Sequence, residues 1–405
     1  MQMTVTHPLT QTPRLLSIAQ WLVVLSAAAI SLPTALVGIT TGLFLISWIL
    51  LGFTGDGFRV TLNTLTQNLV ARAAMLLWLF VGIGMIWSSA TPHIAFETFG
   101  QYRELLLIPL MMSVMQQGVP LRVFYGFLAG HFAATLLAYV PWISAGTATL
   151  GASASGFHSH IPFGTFAAFL IFACLILGMA QKPIRARLFS MAGVMAFHLL
   201  FINTGRAGFV ILGLLLLIFA VSYWRWRGLI AYCGVALLTL SVLYQYSPTF
   251  KNRLIEATQI EIAAREINRT TEASHARPAL WINTLNIIEK TPAFGTGTGS
   301  FRTEYKKISP VESRNPHQQF LLTWAELGVP GLLLLIFLLY SQFSALAKQP
   351  RSKQLIAYGF LLAFIIHSFI NSSILDNVEG HFYALLSVAL WADREEWGRV
   401  LGGRQ

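Results

Sequence analysis

Charge is scarce in this chain: Asp, Glu, Lys and Arg make up 11% of its 405 residues, where a soluble globular protein carries roughly 25%. That excludes a molecule surrounded by water on every side, and lipid is the alternative solvent. Cysteine is almost absent as well. Cys174 and Cys233 both lie inside apolar runs, so no disulfide framework supports an exported domain, and both read as small core hydrophobes. Carboxylates number 16 against 27 Lys and Arg. None forms, on a loop expected outside, the close acidic pair with which a protein holds a divalent cation. The one tight cluster, Asp393, Glu395 and Glu396, falls at the inner end of the last apolar window, so the chemistry expected here uses no metal and no cofactor.

Hydrophobic residues, by contrast, make up 55% of the chain, and the mean hydropathy is +0.63. Apolar windows run over 15–32, 34–52, 69–88, 102–117, 121–143, 162–180, 188–203, 207–223, 228–246, 318–346, 354–373 and 380–393. Each approaches the roughly 20 residues that cross a bilayer as a helix. The pattern predicts an all-α polytopic membrane protein of about 12 transmembrane helices, with one long loop between spans 9 and 10. Three parts follow: residues 1–247 with spans 1 to 9, a helical loop at 248–316, and residues 317–405 with spans 10 to 12 and a short tail. The N-terminal stretch from Met1 to Arg14 reads as a retained signal anchor.

Cations orient this arrangement. With both termini on the cytoplasmic side, fourteen Lys and Arg fall inside, and Arg72 can snorkel to the same face. Twelve remain outside, ten of them in the 248–316 loop beside seven Glu. Long translocated loops largely escape the charge rule, which leaves Arg103 and Arg206 as the exceptions at outer span ends. Within the loop, 250–269 reads as a polar helix. A second helix over 278–290 would set Trp281, Leu285 and Ile288 on one face, which could lie on the membrane surface or pack on the bundle.

The outer cations are candidates for binding an anion, since guanidinium matches phosphate in a bidentate fork. Arg206 sits in Asn203-Thr204-Gly205-Arg206-Ala207-Gly208, where glycines allow close approach of a backbone or ligand; a headgroup anchor is the alternative. Arg103 could instead pair with Glu104 or Glu97. Arg265 and Arg277 could lie on a solvated helix face. His317, in Asn315-Pro316-His317-Gln318, is placed at the water boundary and partly buried, where a neutral imidazole can take a proton from a hydroxyl. His158 and His160 have the spacing of a metal pair but lack a third ligand. The run Gly295 to Ser300 lacks the lysine and preceding strand of a phosphate loop and reads as a flexible turn.

Taken together, Gly205-Arg206-Ala207-Gly208, Arg277-x-x-x-Trp281, Gly295-x-Gly297-x-Gly299-Ser300-Phe301, Asn315-x-His317-x-x-Phe320-Leu321 and Glu326-Leu327-Gly328-x-x-Gly331 resemble the O-antigen ligase and polymerase family. The resemblance covers roughly residues 200–335. It implies a GT-C-like fold and a glycosyltransferase of the bacterial inner membrane, working on the periplasmic face. The implied donor is a glycan on undecaprenyl pyrophosphate and the implied acceptor is a sugar hydroxyl of lipid A core, with membrane lipid around both and no nucleic acid. By likeness His317 matches the family's essential His, Arg206 its essential Arg, and Arg265 a further outer-loop Arg. Arg103 rests on the charge argument alone. An O-antigen polymerase or a protein O-oligosaccharyltransferase would share the donor. A transporter of lipid-linked glycans would need more ionisable groups in the spans than His131, His198 and Glu326.

Overall fold

The computed structural model describes residues 13–145, 157–203, 205–246, 251, 277–309, 312–347 and 349–392. Among them every regular element is helical. The chain runs through α1 (Pro13–Ala29), α2 (Thr34–Thr54), α3 (Gly57–Gln67), α4 (Leu69–Ile83), α5 (Pro92–Gln101), α6 (Arg103–Ser113), α7 (Val119–Ala145), α8 (His160–Ala180), α9 (Arg185–Phe197) and α10 (Arg206–Tyr246). After the long loop come α11 (Arg277–Lys290), α12 (Phe301–Lys306), α13 (Gln319–Ser344), α14 (Arg351–Ile370) and α15 (Asn377–Trp391).

This is an all-α polytopic membrane protein. Among the described residues seven helices are long and apolar enough to cross a bilayer, and eight if the bent pair α3 and α4 counts as one. Each of the twelve apolar windows lies on a helix, but several are too short or broken to span alone: α6 has 11 residues and α15 has 15. The outer stripe of α2, with Ile39, Leu43, Ile46 and Phe53 exposed, is a surface only lipid would accept.

Local chemistry sets the breaks. At the bend of 100° between α3 and α4, the Asn68 side chain accepts the N–H groups of Val70 and Ala71, capping α4. Arg72 does not simply snorkel: it donates to the carbonyls of Leu65 and Thr66 that α3 leaves open. The two windows expected at 207–223 and 228–246 form α10, which turns back on itself at Arg225, whose φ is 53°. Gly228 there lies against the carbonyl of Ala220. Cys174 is buried as expected, whereas Cys233 is exposed, because the second half of α10 lies outside the bundle.

The centre is aromatic. Phe382 of α15 stacks on Phe166 of α8 at 4.3 Å and meets Phe127 of α7 and Phe360 of α14. A second, smaller core sits over one end of the bundle: Leu280, Ile287 and Ile288 of α11 pack with Phe301, Tyr305 and Leu322. The expected α11 face is realised in part: Ile288 is buried here and Trp281 packs against this core. Leu285 is exposed and Thr284 buried, because α11 docks on α12 and α13 through a stripe about one residue around from the predicted one.

Candidate functional site

His317 lies where the chain enters α13, and its backbone is strained: φ is 50°, in the left-handed region. A non-glycine residue there costs on the order of 1–3 kcal/mol and persists where its surroundings over-determine it. Here they do. The side chain of Asn315 accepts the His317 N–H at 2.8 Å, Ser313 donates to the Asn315 carbonyl, and Gln318 caps Leu321. Trp281 of α11 donates its indole N–H to the Pro316 carbonyl at 3.2 Å. The imidazole itself is exposed rather than partly buried, so it faces whatever enters this end of the bundle.

The ring is tied to a segment that sequence reasoning passed over, the loop that runs from Asn371 after α14 into the first turn of α15 at Glu379. Nδ1 of His317 lies 3.2 Å from Oδ1 of Asn371, and Asn371 donates through Nδ2 to Glu379 at 3.0 Å. His367 approaches the same carboxylate at 3.9 Å and bonds Ser373. Burial pushes the Asp376 carboxyl above its ordinary range, while the neighbouring His317 and a hydrogen bond with Asn371 pull it back. The available signal was compositional: Asn371, Ser372, Ser373, Asp376, Asn377 and Glu379 form a polar run between two apolar windows.

Arg103 reaches this loop from the other side. It donates to Asn377 Oδ1 and to the Gly100 carbonyl, each at 3.1 Å, and pairs with Glu104 at 3.1 Å. Of the two sequence alternatives for its carboxylate partner, Glu104 is the one realised. Glu104 in turn lies 3.2 Å from His381.

Arg206 opens α10 directly after a π turn at His198–Ile202. Its flanking glycines serve the protein's own backbone: a Cβ at Gly208 would meet Gly164 of α8, and one at Gly205 would meet the His160 carbonyl. Arg277 opens α11, one turn before Trp281. Its guanidinium is held below the usual arginine range, first by burial and then by the charge of Arg206. Two cations from distant segments therefore share one neighbourhood, an arrangement suited to an anion. Arg265 and the helix expected at 250–269 lie outside the described residues, Lys251 excepted.

Gly295, Gly297 and Gly299 all adopt positive φ, but they form a clasp rather than a flexible turn. Thr296 and Gly297 donate their N–H groups to the carbonyls of Ala325 and Glu326, and Thr298 donates to that of Gly84. The clasp closes on α13 at Gly328, where φ is 66° and the helix breaks. Glu326 accepts the Phe301 N–H at 3.1 Å, at the start of α12.

His158 and His160 are both half-buried where the chain enters α8. Burial pushes the His158 imidazole below its usual range, while the nearby backbone of Leu32 and Ile30 pulls it back. Among the described residues no three His, Cys, Asp or Glu are grouped to hold a metal ion. Buried ionisable groups are more numerous than the sequence suggested: Glu104, Lys353, His367, Glu379 and His381 join His131, His198 and Glu326. Several have partners within the protein, as His131 does in Ser31 at 2.8 Å.

No curated protein matches the chain. Residues 191–336 match the O-antigen ligase family, a stretch that holds Arg206, Arg265, Arg277 and His317 and stops before the Asn371–Glu379 loop, and this match supports assigning the chain to the O-antigen ligase family.

Proposed function

We propose that this chain is an O-antigen ligase of the bacterial inner membrane, moving a glycan from undecaprenyl pyrophosphate to a sugar hydroxyl of lipid A core on the periplasmic face. The coarser statement, ligase- or polymerase-type glycosyl transfer in lipopolysaccharide biosynthesis, rests on the family match. What carries the finer reading is His317. It is exposed at one end of the bundle, with Nδ1 held by Asn371, while Arg206 and Arg277 crowd together.

In this reading Nε2 of His317 takes the proton of the acceptor hydroxyl as its oxygen bonds to the anomeric carbon. The bond from that carbon to the pyrophosphate oxygen breaks, and attack opposite the leaving group inverts the centre. Negative charge growing on the departing pyrophosphate is met by Arg206, Arg277 and Arg265, with Arg103 at the rim, and no metal takes part. The 248–316 segment acts as a lid that admits two lipid-anchored substrates from the membrane plane.

The test uses the full chain in detergent with an undecaprenyl pyrophosphate glycan, lipid A core and a chelator, read as extended lipopolysaccharide on a gel. Product from the wild type and none from His317→Ala or Arg206→Ala is expected. Undiminished product from both variants would overturn the mechanism. Dependence on added Mg²⁺ would remove the metal-free step, and chains growing on the carrier without core would make the enzyme a polymerase.

A further inference from the structure

The loop from Asn371 to Glu379 lies outside the stretch that matches the family, yet it holds the imidazole at the centre of the proposed reaction. An imidazole has two nitrogens, and a general base needs the right one bare. Amide oxygens only accept hydrogen bonds, so an oxygen of Asn371 facing Nδ1 requires the proton to sit on Nδ1 and leaves the lone pair on Nε2. What remains is to explain why the amide keeps its oxygen on that side. Glu379 supplies the reason: its carboxyl accepts from Nδ2 of Asn371 at 3.0 Å, and Asp376 stands beside the same side chain. Turning the amide over would set its oxygen against carboxylates and its N–H groups against Nδ1.

We propose that Asn371, oriented by Glu379, is a positioning residue that fixes the Nδ1–H tautomer of His317 and so presents Nε2 to the acceptor hydroxyl. This rests on the reading of His317 as the base. The pair works as an amide does when it steers a catalytic histidine beside a nucleophile, except that here a buried carboxylate one step further back sets the amide. Glu379 is itself enclosed, 7% exposed, and His367 stands beside it at 3.9 Å, so bulk water does not readily reorient the chain of bonds.

The experiment measures kcat and KM for the undecaprenyl pyrophosphate glycan, with lipid A core saturating, for the full chain in detergent and for His317→Ala, Asn371→Leu and Asn371→Asp across pH. Asn371→Leu is expected to lower kcat at least tenfold with KM unchanged, because the tautomer and not donor binding is lost. Asn371→Asp keeps an oxygen on Nδ1 and should restore much of kcat. It also places a negative charge against the ring, favouring the imidazolium, so the acid limb of the kcat profile should move to higher pH. The other titratable groups around the pair, Asp376 and Glu379 beside Asn371, His367 on α14, Arg277 near His367 and Arg103 on Asn377, are the same in every variant. A dead His317→Ala beside an Asn371→Leu with wild-type kcat would overturn this inference and leave the proposed base intact. An active His317→Ala would overturn both. Should Asn371→Leu fail to fold, an Asn371→Asp enzyme whose acid limb stays in place overturns the inference by itself.

Discussion

The indole of Trp281 donates to the carbonyl of Pro316 at 3.2 Å, so a helix of the long loop directly holds the residue before His317. Pro316 is buried, and a buried carbonyl left without a donor costs about 1–3 kcal/mol. Trp281→Phe keeps most of the ring's contact with the small outer core and removes only the N–H. The thermal midpoint should fall by a few degrees, and transfer should fall several-fold more than the folded fraction does. Unchanged transfer at the lower midpoint would mean that this bond does not position His317.

Gly297 is where the clasp is tightest. Its φ is 92°, and a Cβ would run into the backbone of Ser88. Gly297→Ala should therefore destabilise by more than the order of 1–3 kcal/mol expected for backbone strain alone. Gly193 offers the control: it lies inside α9 with open space around its Cα, and Ala there should stabilise by up to about 1 kcal/mol through helix propensity. Thermal unfolding of the two variants in one detergent would decide this, and equal midpoints would mean that the clasp does not hold the outer core.

Much of this architecture is legible in the sequence because hydrophobicity is a strong, one-dimensional signal. Apolar windows located the helices, and the split of α10 followed from Arg225 and Arg227 interrupting an apolar run. The Asn315-x-His317 spacing is local chemistry too, since the Asn side chain bonds the His317 backbone two residues on. Asn371 was not legible. Its partner is 54 positions away, and nothing within the chain's own periodicity links the two. The place of Leu285 on α11 was not legible for a related reason: it satisfies helical spacing with Trp281 and Ile288, and only tertiary contact with α12 and α13 leaves it exposed while those two join the core. Glu326 reads only as one of too few span ionisable groups for a transport path and as part of the Glu326-Leu327-Gly328 motif, because its use by a backbone N–H in another segment leaves no trace in sequence.

That use makes a prediction. Glu326 is 4% exposed and accepts the Phe301 N–H at the start of α12. Glu326→Ala strands a buried donor and should cost about 1–3 kcal/mol. Glu326→Gln keeps an oxygen in place and should lie much closer to the wild type in both midpoint and transfer. A Gln variant as damaged as Ala would show that the charge itself is required, which a purely structural acceptor does not explain.

Glu304 gives the outer core a dependence on pH whose sign can be worked out. Burial alone would raise its carboxyl, but hydrogen bonds from Lys307 and Ser89, with the charges of Lys307 and Lys290, outweigh it and hold the group below its ordinary range. Ser89 donates at 2.6 Å and Lys307 at 2.7 Å, so the ionised form joins α12 to the segment between α4 and α5. A carboxyl whose value is lower folded than unfolded contributes fully above the unfolded value, about 4.3 for Glu, and loses that contribution as pH falls through the folded value. Amide exchange over residues 301–307, corrected for intrinsic rates, should therefore be flat from neutral pH to about 5 and accelerate below about 4. Glu304→Gln should exchange faster than the wild type at neutral pH and show no such acceleration. If the variant kept the acid-dependent step, the opening would have to come from another group, and the tie from Ser89 through Glu304 would not be what holds α12 in place.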